Sequence, residues 1–135
     1  MIRALLASLL VLTLAGGARA ASSNDELAGL SNREYVEYVR DRFEWLTGEG
    51  RTSHRLAEKF RRQCRASSGG DADGARACEV ARAADEQSAH VLQEGNDLLT
   101  GLQQRFGGVP PWARNADAAL EASIGKQQAQ VQQHP

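Results

Sequence analysis

A chain of 135 residues with a formal net charge of −1 is long enough to bury one real core and too evenly balanced to hold nucleic acid by bulk charge. Aromatic side chains make up only 5%, and β-branched residues are scarce beside Ala, Arg, Glu, Gln and Leu, a composition that favours helices over a sheet. Two cysteines exclude a disulfide-rich scaffold and permit a single intramolecular pairing.

The first segment reads as a secretory leader over residues 1–20. Arg3 gives the positive start, Leu5 to Leu14 form the apolar stretch, Gly16 and Gly17 break it, and Ala18-Arg19-Ala20 offers a small-x-small cleavage site. The apolar run is too short for about 30 Å of hydrocarbon, which needs roughly 20 residues. No cysteine sits at the junction, so no lipid attachment is expected there. No later stretch is apolar enough to cross a membrane. The chain is therefore expected to be exported, to the periplasm or the outside, and to mature at Ala21. Loss of Arg3 and Arg19 makes the mature chain more acidic still.

Residues 21–30 are polar and expected to be flexible; residues 31–133 are expected to form one helical-bundle domain. Ser31 followed by Glu34 is a capping box, in which the N-cap hydroxyl and the third helical carboxylate satisfy each other's backbone N–H groups. Val36, Val39, Phe43 and Leu46 then share one face at helical spacing, widened by Tyr35, Tyr38 and Trp45. Gly48 and Gly50 predict the end of this first helix. A second is expected from Thr52 or Ser53 to about Ala66, with a narrow stripe of Leu56, Phe60 and Cys64.

Ser67 to Gly74 reads as a loop, rich in Ser, Gly and Asp. Cys64 precedes it and Cys78 follows it, so a Cys64–Cys78 disulfide would staple a helical hairpin, as an oxidising compartment permits. The loop it closes, about 14 residues, is worth roughly 3 kcal/mol of closure entropy. The long third helix runs from about Ala75 to Phe106 on a seam of Ala77, Ala81, Ala84, Ser88, Val91, Gly95, Leu98 and Leu102, alternating spacings of four and three. Gly107-Gly108-Val109-Pro110-Pro111 stops it. A fourth helix starts near Trp112 and carries Ala113, Ala116, Leu120, Ile124 and Val131 into a glutamine-rich end. The fold class that follows is all-α: a small antiparallel bundle of about four helices, the third long, with one disulfide. The first two are expected along one side of the long helix and the fourth along the other.

No chemistry-bearing constellation stands out. Asp71, Asp73 and Gly74 can be set on an EF-hand loop only by leaving Gly69 and Val80 at two ligand positions that need oxygens, so a turn is the better account. Glu86, His90 and Glu94 repeat every four residues, yet they miss the inward Glu-x-x-His arrangement of di-metal bundles and read as a solvated face. There is no Cys-x-x-Cys-His for covalent haem and no nucleophile elbow, and paired cysteines are not nucleophiles. No cofactor, no metal and no enzymatic activity are expected.

What stands out is charge. Arg51, Arg55, Lys59, Arg61, Arg62 and Arg65 crowd the second helix against Glu58, in a chain that is acidic overall. The amphipathic aromatics Tyr35, Tyr38, Trp45 and Trp112 either fill the ends of the core or belong to a binding patch. An exported domain without reactive groups acts through its surface, so the expected function is protein–protein binding, as in an inhibitor, immunity protein, adaptor or chaperone. The expected partner is an exported or envelope protein with an acidic face, met by Arg55, Lys59, Arg61, Arg62 and Arg65. A carrier of a metal or apolar ligand, and a small enzyme of the cell envelope, are the rival classes.

Overall fold

The computed structural model describes residues 24–67 and 72–125. The chain divides into two compact units, Met1–Tyr35 and Val36–Pro135. Among the described residues there are four α-helices and no strand: α1 Asn24–Ala28, α2 Asn32–Ala66, α3 Ala72–Phe106 and α4 Pro111–Ser123. The protein is an all-α antiparallel bundle with one disulfide. The expected leader, and Val131 in the glutamine-rich end, lie outside the described residues.

In the first unit, the polar stretch before Ser31 is not wholly irregular: α1 forms over Asn24–Ala28, with no buried residue. The capping box then forms as its sequence predicts. The Ser31 N–H donates to Glu34 Oε1 at 3.0 Å, and the Glu34 N–H donates to Ser31 Oγ at 3.1 Å. These two bonds satisfy donors that the first turn of α2 leaves without intrahelical partners.

The expected break at Gly48 and Gly50 does not occur. α2 runs uninterrupted through both glycines for 35 residues, about 50 Å of helix. Neither glycine adopts a positive φ, so neither acts as a C-cap. Interior glycines cost a helix about 1 kcal/mol each, and long-range packing offsets that cost here. One continuous helix also carries one continuous seam. Val39, Phe43 and Leu46 are buried as expected, and the same register continues into Gly50, Ser53 and Ala57. It leaves Leu56 one step off the seam, 40% exposed, and Phe60 half-buried. The stripe of Leu56, Phe60 and Cys64 is thereby corrected at Leu56: the small Ser53 and Ala57 are buried instead, while Cys64 meets α3 through its disulfide.

α3 is also 35 residues long and begins earlier than expected, with Ala72, Asp73 and Gly74 already helical. Its seam is the predicted one. Ala77, Ala81, Ala84, Val91, Gly95, Leu98 and Leu102 are all buried, Gly74 joins them, and Ser88 is half-buried. α2 and α3 are antiparallel: Arg42 meets Glu94, Ser53 meets Ser88 at 2.8 Å, Arg61 meets Asp85 at 2.7 Å, and Cys64 bonds Cys78. The disulfide joins Cα atoms 4.8 Å apart, a span typical of such bonds. At this end both seams are built of small residues, so the backbones come close. A Cβ on Gly74 would collide with Ser67.

α3 stops at Gly107, whose φ of 75° is the left-handed cap a glycine permits. Pro111 then occupies the first turn of α4, where a missing N–H costs nothing. α4 is shorter than its stripe suggests. It ends at Ser123, and Ile124 leads into Gly125, again left-handed with φ 77°. A Cβ there would stand 2.9 Å from the His54 ring, so Gly125 answers to both conformation and space.

The placement of α4 is a second correction. It lies against both long helices rather than on the far side of α3. Ser123 and Ile124 crowd Gly50 of α2, while Leu120 and Asp117 crowd Gly95 of α3. Ala113 and Leu120 are its fully buried residues. From Trp112 beside Arg40 to Gly125 beside His54, α4 runs parallel to α2 and covers only part of the hairpin.

Candidate functional site

The candidate partner-binding residues all come from the part of α2 beyond the reach of α4. Arg55, Lys59, Arg61, Arg62 and Arg65 are all exposed. Helical geometry places Arg51, Arg55, Arg62 and Arg65 within about 80° of one another, on the side of α2 turned away from its seam. Their surroundings differ. Arg61 leans toward α3 and binds both Asp85 oxygens through one nitrogen, at 2.7 and 2.9 Å, so it helps to close the hairpin. The Lys59 ammonium lies 5.4 Å from the Phe60 ring centre. Glu58 is turned to His54 at 3.2 Å. Arg55, Arg62 and Arg65 have no ion-pair partner among the described residues.

Helix α2 also carries a cation of the opposite kind. Arg42 sits on its apolar face, three residues after Val39 and four before Leu46, and only 8% of its side chain is exposed. Its guanidinium forms a two-nitrogen contact with Glu94 of α3: Nε meets Oε2, and Nη2 donates to Oε1 at 2.7 Å. It also stacks on Trp45, 4.2 Å from the ring centre. The hydrogen bond to Glu94 raises the Arg42 pKa further, against the opposing effect of burial. The reading of Glu86, His90 and Glu94 as one solvated face thus holds for the exposed Glu86 and His90 and fails for Glu94. The signal for this pair is an arginine at an apolar position, which a count of surface charges passes over.

A second surface feature lies between α2 and α4: an open groove of about 550 Å³. Trp112 stands at one end with the Arg40 guanidinium stacked on it, 4.2 Å from the ring centre. Phe43, Gly48, Ala116 and Ala119 give it apolar or small walls, Glu44 lies along it, and Arg51 stands at the other end. Arg51 thus belongs to both the groove and the basic face. Of the aromatic set, Tyr35 is buried, Tyr38 and Trp45 are half-buried, and Trp112 faces the groove.

Among the described residues no three His, Cys, Asp or Glu side chains gather as metal ligands would, and no helix is long and apolar enough to cross a membrane. Cys64 and Cys78 are both consumed in the disulfide. Asp71, the remaining member of the calcium reading, lies outside the described residues, and Asp73 and Gly74 belong to a helix. No protein-family model, curated protein or solved structure matches the chain.

Proposed function

We propose that this protein is an exported, non-enzymatic interaction protein whose stapled helical hairpin presents the basic face of α2 to an acidic partner. One observation carries this reading. Arg42 and Arg61 are matched by carboxylates, whereas Arg55, Arg62 and Arg65 stand exposed on one side of the last three turns of α2 with no such partner among the described residues. Solvated arginines are cheap to maintain singly. Several on adjacent turns repel one another unless an anionic surface meets them. The rigid scaffold supports the same reading, because side chains on a disulfide-closed hairpin lose less freedom on binding than side chains on a loop. The partner is another exported or envelope protein, and its contact face is rich in Asp and Glu.

The test is affinity capture from the exported fraction of the source cells, with mature wild-type protein and an R55E/K59E/R62E variant as baits. The expected result is a partner retained by the wild type, lost by the variant, and released progressively as salt rises. Equal recovery by both baits contradicts the proposal.

A further inference from the structure

The groove between α2 and α4 contains a residue that packing does not explain. Gly50 and Gly95 have a packing reason to lack a side chain, because a Cβ there would press on Ser123 and Leu120 of α4. Gly48 has nothing within 4 Å of a Cβ, yet it sits mid-helix, where alanine would be the better residue. Its missing side chain faces the groove and deepens it. A backbone position kept bare at a stability cost, with open space beside it, suits the close approach of another chain.

The charges along the groove limit what that chain carries. Arg40 and Arg51 are eleven positions apart on α2, three turns and about 16 Å along the axis. The Arg40 guanidinium lies over the Trp112 ring, 4.2 Å from its centre, at one end of the groove, where its N–H groups suit a carboxylate. The N-terminus of α4, the positive end of its dipole, lies at the same end. Between the two arginines the walls are Phe43, Thr47, Gly48, Ala116 and Ala119, and the single carboxylate of Glu44, one turn from Arg40, disfavours a further anion between the ends. An occupant that matches this order has carboxylates at both ends and apolar side chains between them. At about 3.3 Å per residue, an extended segment of five or six residues spans the distance.

We infer that the groove is the anchoring site for an extended acidic peptide segment of the partner, of the order acidic–apolar–acidic, with its apolar side chains seated over Gly48 and its carboxylates on Arg40 and Arg51. This rests on the proposed function and adds where and by what sequence the partner is held. A purely electrostatic contact on Arg55 and Arg62 would accept any acidic order; the groove does not.

The full oxidised chain is titrated by fluorescence polarisation with a labelled, C-terminally blocked hexapeptide Glu-Glu-Leu-Leu-Glu-Glu, and with its rearrangement Leu-Glu-Glu-Glu-Glu-Leu. The first peptide is expected to bind at least tenfold more tightly than the second. Gly48→Leu, which fills the groove and leaves every charge in place, should weaken the first peptide at least tenfold. Gly48→Ala, which adds one methyl group to open space and keeps the fold, should weaken it several-fold. Glu44→Gln should tighten it, and R62E/R65E should leave it unchanged. Equal binding of the two peptides, or equal binding by Gly48→Ala and wild type, overturns the inference. So does binding of dodecanoate more tightly than the peptide, which would mark a site for a single-carboxylate amphiphile. Such results leave the bait experiment to decide the basic face on its own. Equal capture by charge-reversed and wild-type baits would instead remove the reading on which the groove assignment rests.

Discussion

Gly48 and Gly50 stand two residues apart in one helix and answer to different constraints. A Cβ on Gly48 meets nothing, so Gly48→Ala should raise stability by about 1 kcal/mol through helix propensity alone. A Cβ on Gly50 collides with Ser123 and presses Ile124, and one on Gly95 falls 2.6 Å from Leu120 Cδ2. Gly50→Ala and Gly95→Ala should therefore both destabilise despite the same propensity gain, and urea unfolding of the three variants gives the signs directly. From sequence the pair Gly48 and Gly50 reads as a helix end, because local composition carries no trace of α4 closing over Gly50. Arg42 was equally hidden. Its place among Val39, Phe43 and Leu46 reads as a surface charge until Glu94 appears opposite it. Glu94→Gln should cost about 2–3 kcal/mol, since it leaves a nearly buried guanidinium without its counter-charge. The double variant R42M/E94L should recover much of that loss, because two apolar side chains need no compensation. Similar stability of the single and double variants would show that the pair is not coupled.

At the scale of elements, the start of α2, the seam of α3 and its stop were legible, since each depends on residues a few positions apart. Ser31 and Glu34 meet as a capping box whether or not a tertiary fold surrounds them. The Ser31 N–H, which donates to Glu34 Oε1, is the main cause holding the Glu34 carboxyl below its ordinary value of 4.5. A lowered carboxylate pKa gives stability that is present above the ordinary value and is lost as pH falls through the lowered one. An NMR titration of the Glu34 carboxyl should place its midpoint below that ordinary value; a midpoint at or above it would mean the box does not form. The burial of Ala57 in place of Leu56 was not legible, because the register of that segment is inherited from Leu46 through two glycines that read as a break. The disulfide belongs to this scale too. It links two helix ends 14 residues apart, and C64S/C78S should cost about 3 kcal/mol by losing loop-closure entropy, read as a lower urea midpoint. A midpoint that does not move would mean the small-residue seam alone holds the hairpin end.

For the molecule as a whole, the same features that fix the hairpin set out its charge. α4 covers only part of the α2–α3 pair, the disulfide and Arg61–Asp85 close the uncovered part, and the remaining cations of α2 face solvent there. Their crowding was legible in the sequence. Their division into Arg61, turned to α3, and Arg55, Arg62 and Arg65, turned outward, was not, because it depends on the register of an antiparallel partner. The groove was not legible either, since it joins residues of α2 and α4 that lie far apart in the chain. Location, not net charge, is what we propose makes the α2 face a binding surface. One capture experiment with three baits decides this: wild type, R55E/K59E/R62E, and R76E/R82E/R114E, which reverses as many exposed cations elsewhere on α3 and α4. A partner should be held by the wild type and by R76E/R82E/R114E and lost by R55E/K59E/R62E. Equal loss from both variants, or equal retention by all three, would contradict it.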